Sequence, residues 1–71
     1  MRSLLYKALE SYLQGNIDKH VANVKIHANA AVGVAEHSDH IETIDKEVGK
    51  IAEFEDRLEV LRKYFKEKEV L

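Results

Sequence analysis

The chain has 71 residues, 34% of them charged, and a formal net charge of −2. A hydrophobic content of 45% argues against disorder, and the lack of cysteine excludes disulfides and thiolate metal sites. No proline and only three glycines favour long helices. We therefore expect one all-α domain, near the lower size limit for independent folding.

The charge pattern and the lack of long apolar runs limit the partners. The one basic cluster, within residues 57–68, is interleaved with glutamates, so we expect no nucleic acid. No window approaches 18 consecutive apolar residues, so we expect no membrane span. Residues 1–7 lack the apolar run of a signal peptide, which favours a cytoplasmic protein.

The first predicted element is a helix over about residues 3–30. Apolar residues recur there at helical spacing: Leu5, Leu9, Leu13, Ile17, Val21, Val24 and Ala28. The apolar face shifts near Gly15 and Asn16, which leaves two alternatives. The segment is one continuous or mildly kinked helix, or two short helices with Gly15 as a C-terminal cap.

Several apolar residues lie off this stripe: Leu4, Tyr6, Ala8 and Ile26. They are candidates for a second surface that binds an unidentified protein partner. His20 and His27, seven residues apart, share one face of the same helix. We expect them to pack at the helix boundary with the ring tips in water; a pH-sensitive interface is the alternative.

A turn is predicted at about residues 31–38, where Gly33 supplies backbone freedom. Asp39 with Glu42 fits a capping box for the next helix, and Ser38 is the competing cap. His37 and His40 stand three residues apart within the polar segment 36–40 and are weak candidates for metal ligands. The other interpretation is a polar helix start with exposed histidines.

The second predicted helix, about residues 39–66, has the strongest periodicity. Two sets of apolar residues form the predicted seam. The first set repeats every seven residues and consists of Ile44, Ile51, Leu58 and Phe65. The second set lies between these repeats and consists of Ile41, Val48, Phe54 and Leu61. This pattern predicts left-handed, coiled-coil-like packing, with Leu58 and Ile51 fully buried and Val60 facing away. Glu55 and Arg62 lie at the edge of the seam, or else fix its register.

Together these elements predict an antiparallel helical hairpin. Two helices bury little apolar surface, so we expect a homo-oligomer, with a two-fold dimer forming a four-helix bundle favoured. The predicted self-association interface follows the two apolar stripes: Ile17, Val21, Val24, Ile44, Val48, Ile51, Leu58, Leu61 and Phe65.

Catalytic motifs are missing from the sequence. The serines and Thr43 have no glycine elbow beside them, and there is no phosphate-binding glycine loop. We therefore expect a non-catalytic interaction or accessory protein without a cofactor. The alternative is a metal- or small-ligand-binding helical bundle that uses the segment 36–40.

The segment 32–39, Val-Gly-Val-Ala-Glu-His-Ser-Asp, leads into the charged helix through residues 41–47 and 51–58. This Gly-x-x-Glu-His-x-Asp turn resembles small helical proteins of tailed marine cyanophages. The resemblance covers most of the chain. It implies a phage-encoded accessory or structural protein in the host cytoplasm, and it implies no chemistry.

Overall fold

The computed structural model describes residues 3–30 and 38–66. Within them the chain forms two helices of 28 residues each, α1 (Ser3–Ala30) and α2 (Ser38–Phe65). Each is about 42 Å long. Glu10, early in α1, contacts Arg62, late in α2, and His20 contacts Glu47 early in α2. The helices are therefore antiparallel, and the predicted all-α hairpin is confirmed.

Helix α1 continues through Gly15 without a break, so the alternative of two short helices is wrong. Gly15 is exposed, and a Cβ built there would have nothing within 4 Å. The side chain of Asn16 does not cap a new helix, because its Nδ2 donates to the carbonyl oxygen of Tyr12 at 2.9 Å. Burial of Leu13 and Ile17 on either side offsets the cost of a glycine in a helix, about 1 kcal/mol.

Helix α2 begins at Ser38, one residue before the predicted start, and ends at Phe65. Asp39 consequently lies in the first turn, where its negative charge interacts favourably with the helix dipole. The hydroxyl of Thr43 donates to the carbonyl oxygen of Asp39 at 2.8 Å. Arg62 and Lys63 occupy the last turn, so α2 begins with an acidic residue and ends with basic ones, the arrangement that the helix dipole favours. The predicted turn, with Gly33 and His37, lies outside the described residues.

The residues between the helices follow alternating steps of three and four. In α1 the half-buried and buried seam is formed by Tyr6, Glu10, Leu13, Ile17, His20, Val24 and His27, and in α2 by His40, Ile44, Glu47, Ile51, Phe54, Leu58 and Leu61. This spacing is that of a coiled coil, so left-handed packing of the two helices is expected. The seam includes five ionisable side chains besides Tyr6.

The apolar core lies toward one end of the hairpin. Its buried residues are Tyr6, Leu13, Ile17, Phe54, Leu58 and Leu61, with Val21 and Ile51 packed against them. We call this end, formed by the start of α1 and the finish of α2, the open end. Toward the other end the seam is half-buried and contains more polar side chains. The hairpin is thus held mainly by its open-end half.

The phase of the α2 seam differs in part from the prediction. Leu58 is buried as expected, but Ile51 is only half-buried. Ile41 and Val48 are 65% and 48% exposed, whereas Glu47 lies in the seam. A seam that runs straight back from Leu61 and Phe54 in seven-residue steps reaches Glu47, one residue before Val48. The contact between the helices follows these seven-residue steps, although they place the carboxylate of Glu47 between the helices.

The sequence pattern places Tyr6 off the apolar stripe of α1, and this prediction is wrong. Tyr6 is buried in the core and does not belong to a second surface. Leu4 and Ile26 are exposed, as is Ala8. Tyr6 lies seven residues before Leu13, so it shares the face that packs on α2.

No helix among the described residues has the length and apolarity needed to cross a bilayer.

Candidate functional site

An apolar groove runs between the helices at the open end. Its walls are Leu9 and Tyr12 of α1 and Val60 and Phe65 of α2, all of them exposed. Its floor is formed by the buried residues Leu13 and Leu61, and Asp56 and Arg57 complete its lining. We call these eight residues the open-end groove. Large apolar side chains lining one shallow surface are typical of a protein–protein contact.

Three other grooves along residues 3–30 and 38–66 are lined mainly by charged and polar residues. One is lined mainly by charged side chains, among them Glu55, Glu59 and Arg62. Another lies beside the middle of the seam and contains Lys46, Lys50 and Glu53. The open-end groove therefore differs in chemistry from the rest of the interhelical surface, and it is the best candidate for an interaction site.

The middle of the seam holds a polar cluster. The Nδ1 atom of His20 hydrogen-bonds the carboxylate of Glu47, whose other oxygen accepts from Nδ2 of Asn23 at 3.2 Å. The side chains of His20 and Glu47 are 12% and 19% exposed. The His20 ring also stacks on Phe54, with 5.8 Å between ring centroids. The cluster connects the two helices and joins the apolar core through Phe54.

His20 is therefore more buried than the boundary position expected from the sequence. The hydrogen bond from His20 is the main cause that lowers the pKa of Glu47, and Asn23 acts in the same direction. Both partners stabilise the ionised carboxylate, which is the form that can accept two hydrogen bonds. Glu47 is thus a negative charge held inside the seam by α1.

A second polar contact links the helices at the open end. Arg62 Nε donates to Glu10 Oε2 at 3.0 Å, and the Tyr6 hydroxyl donates to the same oxygen at 3.4 Å. The hydrogen bond from Arg62 lowers the pKa of Glu10. Burial and the Glu10 carboxylate raise the pKa of Tyr6. Of the two predicted positions for Arg62, the structure supports the seam edge, where it pairs across the helices.

The lowered pKa values predict the acid response of the fold. Glu47 and Glu10 contribute stability that is present above their ordinary pKa of 4.5 and is lost as the pH falls through the lower folded-state values. We expect the thermal midpoint to fall as the pH drops below about 5. Glu47→Gln should make this fall shallower, whereas Glu42→Gln, on the exposed face of α2, should leave it unchanged.

Circular dichroism melts between about pH 7 and about pH 3 provide this measurement. Parallel curves for wild type and Glu47→Gln would contradict the assignment of Glu47 as an acid-sensitive contact.

The residues predicted for self-association are distributed over the hairpin. Ile17, Leu58 and Leu61 are buried between the two helices of one chain. Half-buried positions are Val21, Val24, Ile44 and Ile51, and the exposed ones are Val48 and Phe65. Most of this set therefore packs inside the hairpin. Of the exposed pair, Phe65 lines the open-end groove.

Only one of the two candidate metal ligands, His40, lies in the described part of the chain. His40 is half-buried at the start of the seam, and His37 lies outside the described residues. Residues 3–30 and 38–66 contain no group of three or more histidine, aspartate or glutamate side chains placed to hold a metal ion. The metal-binding alternative stays a prediction that depends on His37.

The apolar pattern does not reveal the groove, because Leu9 belongs to the predicted stripe of α1 and Tyr12 lies at helical spacing from it. The signal that separates them is the alternating spacing through Tyr6, Leu13 and Ile17. That spacing passes through Glu10 and His20, so it does not stand out in a search for apolar repeats. Once this seam is assigned to α2, Leu9 and Tyr12 lie beside it.

Comparisons with known proteins gave no significant match to a family model, a curated protein or a solved structure. The resemblance to small cyanophage proteins is not tested by these comparisons and stays a prediction. The functional interpretation depends on the surface of the chain itself.

Proposed function

We propose that this chain is a non-catalytic helical interaction module that acts as a homo-oligomer, with two hairpins forming a four-helix bundle. The open-end groove is the observation that carries the proposal. Four large apolar side chains, Leu9, Tyr12, Val60 and Phe65, are exposed beside a core to which the described part of the chain contributes six buried residues. A second copy would cover them and enlarge that core.

The accessible surface supports the same proposal. The chain exposes 5745 Å², whereas a compact monomer of 8.2 kDa exposes about 4,500 Å². Part of this excess is the exposed surface of Leu9, Tyr12, Val60 and Phe65, which an interface between copies would remove from water. Closed two-fold dimers are the commonest homo-oligomers, so a dimer is the favoured state.

A role as a small accessory protein in the cytoplasm, or in a host cytoplasm if the chain is phage-encoded, belongs to the same proposal. An exposed apolar groove on a two-helix scaffold fits a protein that acts by binding. The open-end groove is open to solvent, unlike the enclosed pockets in which small substrates are usually buried.

Thermal unfolding at different chain concentrations tests the proposal. Association stabilises the folded state by mass action, so the midpoint of an oligomer rises with concentration. We expect a rise of several degrees over an about 100-fold range of concentration, followed by circular dichroism. A midpoint that is independent of concentration would mean that the hairpin unfolds as a monomer, and the proposal would fail.

A further inference from the structure

The open-end groove is continuous with the core of the hairpin. Leu13 and Leu61 form its floor and are themselves core residues. Side chains of a partner seated in the groove would therefore pack directly against the core, as in the interior of a four-helix bundle. Such packing would also remove the exposed apolar walls of the groove from water. These walls include Leu9 and Tyr12 on α1 and Val60 on α2.

The charged residues of the groove are of opposite sign and adjacent in sequence. Arg57 lies with its guanidinium carbon 5.2 Å from the Phe54 ring centroid and with Nη2 3.5 Å from Glu53. Asp56 is exposed and takes part in none of the ion pairs within residues 3–30 and 38–66. One copy of the groove thus presents both a positive and a negative side chain to whatever covers it.

Two-fold symmetry makes such a surface self-complementary, because every contact between two different residues occurs twice with the roles exchanged. We infer that the open-end groove of one hairpin packs against the open-end groove of a second copy, and that Asp56 of each copy pairs with Arg57 of the other. The inference rests on the proposed self-association and names the surface and the orientation that produce it.

Charge reversal at the two positions tests this arrangement. Asp56→Lys leaves two positive side chains in the groove, and Arg57→Glu leaves two negative ones. Each variant alone should dimerise about 5- to 10-fold more weakly than the wild type, because two cross-chain attractions become repulsions. An equimolar mixture of the two variants should form a heterodimer with affinity near that of the wild type.

Matched controls come from the neighbouring pair Asp45 and Lys46, which has the same charges in the same order on α2, is exposed and does not line the groove. Asp45→Lys and Lys46→Glu should dimerise like the wild type, with no preference for the mixed species. Sedimentation equilibrium gives the affinities, native mass spectrometry gives the share of heterodimer, and circular dichroism confirms that each variant is helical.

The outcomes separate this inference from the proposed function. The groove arrangement would be overturned if the wild type is dimeric and the Asp56 and Arg57 variants dimerise equally well. It would also be overturned if the Asp45 and Lys46 variants are weakened to the same extent. In both cases self-association itself would stand. A monomeric wild type would overturn both and would leave the groove for a helix of another protein. Weakened single variants and a restored mixture, with effects that shrink at high salt, would establish the pairing.

Discussion

Replacing Leu58 by alanine is expected to lower the free energy of unfolding by about 2–5 kcal/mol. Leu58 is only 4% exposed and lies at the centre of the open-end core, between Phe54 and Leu61 along α2. Removing its side chain loses apolar burial and leaves a cavity that two helices cannot readily close. A chain of 71 residues has a total stability of only about 4–11 kcal/mol, so the loss is a large share of it.

Urea unfolding at one fixed chain concentration measures this effect. The control is Ile26→Ala, which removes an exposed apolar side chain of α1 outside both the seam and the groove. Its cost should be within about 0.5 kcal/mol. Similar losses of unfolding free energy for Leu58→Ala and Ile26→Ala would mean that other residues than those described form the contact between the helices.

Phe54→Ala is expected to be at least as damaging, with a loss of about 3–5 kcal/mol. Phe54 is 8% exposed and connects the apolar core to the polar cluster, because His20 stacks on its ring and Arg57 lies over it. The change therefore removes core volume and also one support of the contact between His20 and Glu47.

Phe54→Leu separates these two contributions. Leucine keeps most of the buried volume, so the cost should fall to less than about 1.5 kcal/mol. The ring stacking is lost all the same, and the His20 ring resonances in nuclear magnetic resonance spectra should shift while the hairpin remains folded. Unchanged His20 resonances in this variant would contradict the stacked arrangement.

The hairpin itself was predictable from local features of the sequence. Helical spacing on both sides of the segment around Gly33, together with the acidic start and basic end of α2, indicated two long helices. These features did not predict whether α1 continues through Gly15 or breaks there. A glycine costs a helix about 1 kcal/mol, and the packing of Leu13 and Ile17 on α2 exceeds that cost.

The register between the helices depends on contacts that are distant in sequence. His20 meets Glu47, and Glu10 meets Arg62, 27 and 52 residues apart. Each pair puts a polar residue into the seam, where an apolar repeat would not place one. The apolar pattern alone therefore assigned Val48 to the seam in place of Glu47.

The groove could not be predicted for a related reason. Leu9 and Tyr12 are apolar and helically spaced, so they look like core residues until the seam of α1 is known. The structure assigns the core to Tyr6, Leu13 and Ile17 and leaves Leu9 and Tyr12 on a surface shared with Val60 and Phe65. A surface site that spans two helices becomes visible only once their pairing is known.

The mass of the wild-type chain in solution tests the central claim most directly. Light scattering coupled to size-exclusion chromatography at micromolar concentration gives this mass independently of molecular shape. The account predicts at least two chains per particle, with two as the favoured number. A stable particle with the 8.2 kDa mass of one chain, helical by circular dichroism, would contradict it.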